Sequence, residues 1–462
     1  MKKIVYFTPL LILLSYSPAF ATLGRFRDIA LENRKEVEIS ERQVELTRWR
    51  SLNAARNLGP YLTLEYKSTE GETIDDPYRA ESYGLRFEQS IFHGGGKLYT
   101  YRRERTAHRV SRESRRRVEE DIKFEVAEAY YRVIMNMSML DSYRRLLEQV
   151  EKEYSLARRQ YDREIKTELD YREIANLRES ILVNKEIVKD NLKVSRRTLR
   201  NICGVDEIPD IDETGLEVTF TRDILPYTLQ DCFETALEYK PEIRIAELLV
   251  DQSDYDLRAS KAANVPGVTL EGFAGRSGEA YVDQDLVLAD QWSVFLNLNW
   301  AFWGNTFNYK YGESRTSPSE ILDVSVRTET SEHTVQFSLL DGIGRVYSDR
   351  EKEITMIQAE NDLRRTRDEV LREVKRNYQM LSRVMELIEV DRKRLEVARG
   401  RAEVINKRRL LGEATIREVM DAHHNMAGVR NSMYENIYNL FTAAAGLNKS
   451  CGRTLIPLEA LR

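Results

Sequence analysis

Histidine and cysteine are the side chains that most often mark metal or nucleophilic chemistry, and this chain has few of either. Its five histidines are His93, His108, His333, His423 and His424. None has a partner at zinc-ligand spacing, and the adjacent His423 and His424 point to different faces of any helix. No Ser/His/Asp arrangement stands out. The cysteines Cys203, Cys232 and Cys451 are too few for a disulfide framework. One pair can oxidise outside the cytoplasm and leave one thiol over. Cys203 and Cys232 flank an acidic linker containing Pro209 and Pro226 and form one candidate bridge; Cys451 is an equally available partner for Cys203. The expectation is a protein that is not an enzyme, with no cofactor and no metal site.

The elements that hold these residues begin with a segment that is not part of the fold. Lys2 and Lys3 precede an apolar run, Ile4 to Leu14, and Ala19-Phe20-Ala21 is a small-x-small cleavage site, so residues 1–21 read as a signal peptide. Its removal takes two lysines and no acid, shifting the net charge from −5 to −7. No cysteine follows the site, which argues against a lipid anchor. After Ala21 no apolar run approaches the ~20 residues of a spanning helix. Mean hydropathy is −0.53 and 32% of residues are charged. A secreted chain this polar is periplasmic, extracellular, or a β-barrel whose alternating strands escape hydropathy plots. The near balance of charge excludes a basic patch for nucleic acid.

Internal repetition organises the rest. At a fixed offset of 206, residues 30–65 match residues 236–271: Ala30/Ala236, Glu36/Glu242, Ile39/Ile245, Val44/Val250, Pro60/Pro266 and Thr63-Leu64-Glu65/Thr269-Leu270-Glu271. At an offset of 248, Ser90/Ser338, Gly94/Gly342, Tyr99/Tyr347, Val126/Val374, Tyr130/Tyr378 and Thr167/Thr415 match. The chain is a duplication, and the second copy carries about 42 extra residues (248 − 206) between 272 and 337. The copies are residues 22–204 and 228–450, joined by a linker, 205–227, and followed by a tail, 451–462.

Each copy opens with a helical segment, about 24–57 and 228–262, that stops near Pro60 or Pro266. In Tyr61–Lys67, Leu62, Leu64 and Tyr66 alternate with Thr63, Glu65 and Lys67; Tyr83, Leu85, Phe87 and Ile91 alternate likewise with polar neighbours. That period of two suits a barrel with lipid outside and water inside, and equally a half-buried soluble sheet. Phe92–Gly96 is a flexible junction into a helix free of Pro and Gly from Lys97 to about Glu164, roughly 100 Å long at ~1.5 Å per residue. Val126, Val133, Leu140, Leu147, Tyr154 and Tyr161 recur every seven, with Tyr130 and Met137 between them, and Val374, Leu381, Ile388 and Leu395 repeat the pattern. A seven-residue period means coiled-coil packing. After breaks at 163–166 and 411–413, helices return over about 167–200 and to about Ala445. Two hairpins without a compact core need neighbours to bury their seams.

This arrangement resembles the TolC-like outer-membrane efflux family over nearly the whole mature chain. The Phe92–Gly96 junction, the Pro60 and Pro266 strand entries and the hairpin turns at 163–173 and 411–421 carry the likeness. The resemblance implies a mainly α fold with a membrane β-barrel portion. Long antiparallel coiled-coil hairpins form an α-helical tunnel below a trimeric β-barrel. It implies an outer-membrane exit duct for efflux or type I secretion, a homotrimer in outer-membrane lipid that works with a periplasmic adaptor and an inner-membrane transporter. Drugs, metals, siderophores and proteins all remain open as cargo. A periplasmic coiled-coil spacer or an adaptor is the alternative reading; the duplication and the amphipathic strands disfavour both.

The family's tunnel is narrowed by acids on the second copy's returning helix, and Glu418 and Asp421 stand at those positions. Residues i and i+3 share a helix face, so three chains make stacked carboxylate rings that favour cations and raise one another's pKa values. Asp170 and Glu173 occupy the same pattern in the first copy. Arg408, Arg409 and Arg417 are placed to hold the end shut through salt bridges. The chain departs from the family's two strands per copy. Trp292–Gly304 reads as a fourth strand ending in a junction, yet the register gives that role to Thr334–Gly342. Both are strands only if another crosses between them, within Thr306–Tyr311 or Leu322–Thr328. That makes six strands per subunit, unless one hairpin lies outside the barrel.

Overall fold

The computed structural model describes residues 22–73, 76–211, 227–316 and 328–458. The leader 1–21, Pro226 with most of the linker, the candidate strand residues 322–327 and the end of the tail lie outside the described residues. The elements are α1 (Leu23–Asn33), α2 (Lys35–Arg56), β1 (Tyr61–Thr73), β2 (Asp76–His93), α3 (Gly96–Asp162) and α4 (Glu168–Cys203) in the first copy. The second copy has α5 (Leu229–Tyr239), α6 (Pro241–Ala262), β3 (Gly267–Tyr281), β4 (Ala289–Phe302), β5 (Asn305–Thr316), β6 (Thr328–Ser338), α7 (Ile343–Leu410) and α8 (Ile416–Cys451).

Each opening helix is two helices. Lys240 precedes Pro241, whose ring disfavours the helical conformation one residue back, and Lys240 is extended at ψ 122. Arg34 is extended too, at ψ 129, and its guanidinium is held by Glu36 and Glu125.

The chain divides into two compact units. The helical unit takes residues up to 37, 118–239 and from 371 onward. Tyr131 stacks on Phe441 with centroids 3.9 Å apart, and its hydroxyl donates to the Leu458 carbonyl at 3.3 Å. Val126, Val133, Leu140, Val374, Leu381 and Ile388 are buried here. The expectation that these seams wait for neighbouring chains is therefore corrected. They are already buried within one chain, and near the hairpin ends α3 and α4 of the first copy pack with α8 of the second.

A different stripe is left outside. On α7, Val390, Val397 and Val404 recur every seven residues, and Leu411, just past its end, keeps the spacing; Val397 is 71% and Leu411 74% exposed.

The sheet unit takes residues 38–117 and 240–370. Its strands form one antiparallel sheet in the order β1-β2-β3-β4-β5-β6. The strand crossing between the two candidates is β5, which covers the first window and runs past it to Thr316. Trp292–Gly304 ends in a hairpin and not in a strand-to-helix junction. Trp303 and Gly304, at φ 49 and 78, form the two-residue loop between the paired Phe302 and Asn305, as a type I′ turn requires. The junction into α3 uses Gly94 and Gly95 at φ 56 and 81, where a side chain would be strained.

Candidate pore constriction and channel wall

The wall follows from strand register. Because successive side chains face opposite ways, cross-strand partners share a face. Leu64 pairs with Leu85, Leu270 with Leu296, Leu296 with Tyr311, and Tyr309 with Val335. Trp300 pairs with Phe307 and Phe307 with Phe337. Leu85 joins the two sets by pairing with Ala274, which lies on the Leu270 face of β3. One face of all six strands is therefore an apolar band.

The other face is polar and internally bonded. Arg86 donates to Glu65 at 2.9 Å, Asn297 donates to Glu271 at 2.7 Å, and Lys310 lies 3.5 Å from Glu332. The hairpin β4–β5 continues both faces without a break. Every strand has 11 or more residues, against the 9–11 that cross a bilayer. Among the described residues β1 and β6 each have a partner on one side only.

The constriction candidates lie in the helical unit, where both returning helices start. A buried cluster of Leu146, Val150 and Ala157 from α3, Ile174 and Ile181 from α4, and Ile416, Met420 and Ala427 from α8 fixes these starts. Glu173 directly precedes Ile174 and Asp421 directly follows Met420, both members of that cluster, so their backbones are anchored while their carboxylates stay outside.

The four acids divide into two kinds. Thr415 caps α8: its hydroxyl accepts from the Glu418 N–H, and the Glu418 carboxylate accepts from the Thr415 N–H at 2.7 Å, a complete capping box. That N–H and the Thr415 hydroxyl hold the Glu418 carboxyl below the usual range. Within one chain this works against the rise expected from neighbouring carboxylates. Asp170 stands at the equivalent position on α4, where its N–H donates to the Thr167 hydroxyl at 3.2 Å.

Glu173 and Asp421 are brought together by one cation. Arg417 donates to the Glu173 carboxylate and lies 3.8 Å from Asp421. Glu173, Arg417 and Asp421 line an open cleft of about 360 Å³ with Ile174, Leu177 and Met420. The first copy has no counterpart to this link, because the offset of 248 places Leu169 where the second has Arg417. Arg409 pairs with Glu153 at 3.3 Å and joins α7 to α3, whereas Arg408 reaches back to the Glu413 carbonyl at 3.3 Å.

Sequence reasoning placed Tyr154 and Tyr161 on the seven-residue stripe but missed their contact with Tyr171 beside this end. The Tyr154 and Tyr171 hydroxyls are 2.7 Å apart, Tyr161 stacks on Tyr171 at 5.1 Å, and Arg178 lies over Tyr154 while donating to Glu151. Their signal was the seven-residue stripe itself, which ends in Tyr154 and Tyr161. His423 is half-buried next to Asn406, 3.2 Å from its amide, and burial pushes it down. Among the described residues no cluster of His, Cys, Asp and Glu fits a metal.

Residues 27–205 match the family described as outer membrane efflux protein. The fold of the whole chain is that of solved outer-membrane channels. The first copy is similar by sequence to the outer membrane efflux proteins, and the chain is similar by fold to solved outer-membrane channels. The Campylobacter jejuni CmeC outer membrane channel is 13% identical with a TM-score of 0.72, over 99% of this chain and 95% of that one. The open-state Neisseria gonorrhoeae MtrE outer membrane channel is 14% identical with a TM-score of 0.74, over 94% and 89%. A membrane protein from Pseudomonas aeruginosa is 17% identical with a TM-score of 0.73, over 93% of each chain. At such identities the structural likeness establishes the fold. No curated protein matches the chain by sequence.

Proposed function

We propose that this chain is one third of a passive exit duct that carries cargo across the periplasm and the outer membrane. Three copies close a barrel in lipid and form a helical tunnel, coupled to a periplasmic adaptor and an inner-membrane transporter for efflux or type I secretion. The two-faced sheet with its open ends carries this reading. In a bilayer each unpaired backbone N–H or C=O costs several kcal/mol, so a spanning sheet must close. With six antiparallel strands the first and last run in opposite directions, so β1 of one copy pairs antiparallel with β6 of the next.

Three is the copy number that the family resemblance implies, and three sheets of six make an eighteen-stranded barrel. The exposed α7 stripe of Val390, Val397 and Val404 supports the same closure, since it offers a second coiled-coil seam to a neighbouring copy. A periplasmic spacer or adaptor needs no such apolar band.

Glu418 and Asp421, with Asp170 and Glu173, are the proposed constriction, and Arg417 is its latch between α4 and α8. The test is conductance of purified protein in planar bilayers. The closed channel should prefer cations, and Glu418→Gln with Asp421→Asn should abolish that preference while trimers persist. Glutamine keeps a group that can still accept from the cap. Unchanged selectivity in the double variant would reduce these acids to helix capping and surface pairing.

A further inference from the structure

The three cysteines are all buried, but they are not equally placed. Cys203 closes α4 and directs its thiol at the Phe26 carbonyl, 3.9 Å away; burial pushes that thiol up to about 11. Cys232 on α5 and Cys451 at the end of α8 lie together. The Cys451 thiol donates to the Cys232 carbonyl oxygen at 3.7 Å, and its closeness lowers the Cys232 thiol against the effect of burial. Both side chains are sealed from solvent, at 0% exposure.

The surroundings hold this pair rigidly. Immediately after Cys451 the chain turns at Gly452, φ 67, and Asn448 ties down the following segment through the Leu455 and Ile456 amides at 2.8 and 2.9 Å.

We propose that Cys232 and Cys451 form a disulfide in the exported protein, leaving Cys203 as the one free thiol. The proposal rests on the exit-duct reading only for the oxidising compartment. The oxidant is a protein disulfide of the periplasm. One cysteine thiolate attacks it to form a mixed disulfide and releases the oxidant's first thiolate. The second cysteine thiolate then attacks the mixed disulfide, forms the Cys232–Cys451 bond and releases the oxidant's second thiolate. Two electrons pass to the oxidant, and the two thiol protons end on its reduced pair. The bond must form before the core closes, since the folded pair is shielded from any thiol.

The bond spans 219 positions and joins the first helix of the second copy to its last. Every strand from β3 to β6 and the whole α7–α8 hairpin then belong to one closed loop. Loops of this length constrain the unfolded chain most strongly in the entropic account, so the disulfide stabilises the copy that contains four of the six strands.

The test is thiol mapping on wild-type protein extracted from outer membranes, unfolded without reductant, alkylated, and digested for mass spectrometry. The expected result is alkylation of Cys203 alone, a linked peptide pair containing Cys232 and Cys451, and a thermal midpoint that reductant lowers by several degrees after unfolding. Cys203→Ser should keep the linked pair. Refolding reduced chain in detergent with a glutathione redox buffer should give the same pairing, which decides the chemistry without reference to location. Three alkylated cysteines, or any link through Cys203, would overturn the proposal. Three alkylated thiols in a channel that still conducts would leave the exit-duct reading standing.

Discussion

Leu296 and Asn297 are neighbours in the middle of β4, a strand of 14 residues, and the account puts them in opposite solvents. Leu296 stands between Leu270 and Tyr311 on the apolar face. Asn297 stands between Thr269 and Lys310 on the polar face and donates to Glu271. An arginine on the lipid face of a barrel costs roughly 2–4 kcal/mol at the bilayer midplane. Three copies of Leu296→Arg therefore cost roughly 6–12 kcal/mol per trimer, comparable to the whole stability of a typical domain, about 5–15 kcal/mol. Asn297→Arg loses one amide hydrogen bond but gives Glu271 a cationic partner, so its cost is near zero. Refolding into lipid vesicles, scored by trimer yield on non-denaturing gels, separates the two. Leu296→Arg should give almost no trimer and Asn297→Arg a wild-type yield. Equal tolerance of both would place the β4–β5 hairpin outside the membrane and refute the face assignment.

Arg417→Leu installs the residue of the first copy, Leu169. It removes two exposed ion pairs per chain, each about 0.2–1 kcal/mol, so closed-state conductance should rise several-fold in planar bilayers, and no rise contradicts a latch. Thr415→Val removes the N-cap of α8 and should cost about 1 kcal/mol, read as a lower thermal midpoint. Glu418 has a depressed folded pKa, so its stabilisation is present above its ordinary value of 4.5 and is lost as pH falls through the folded value. The thermal gap between wild type and Glu418→Gln should therefore close in acid, and a gap constant with pH would remove the cap from the account. Phe441→Ala empties the site stacked on Tyr131 and should cost about 3–5 kcal/mol, measured by denaturant unfolding of solubilised protein.

Much of the fold was legible because duplication makes two noisy signals agree. The turn at 163–166 and the break at Gly412 are the same structural position, reached by Glu164 at φ 58 in one copy and by glycine at φ 80 in the other. Trp303-Gly304 misled because an aromatic residue before glycine also describes Phe92–Gly94. The alternation that follows in Asn305–Thr316 distinguishes a hairpin from a junction. The break at Lys240 was announced by Pro241, whereas no proline marks the break at Arg34, whose guanidinium pairs with Glu125, a partner far along the chain that no local pattern reveals. The same holds for Arg417 with Glu173, and for Cys232 with Cys451. The acids proposed for the constriction were chosen by position alone, whereas the capping duty of Glu418 was readable from Thr415-x-x-Glu418.

The central claim is that the open sheet of one chain is a third of a closed wall. Single-particle imaging of the purified protein in lipid nanodiscs tests it most directly, because copy number and strand number appear in one map. The account predicts three copies around one axis and a continuous eighteen-stranded barrel in which β1 of each copy pairs with β6 of the next. A folded monomer, or a twelve-stranded barrel with β4 and β5 outside the wall, would contradict it.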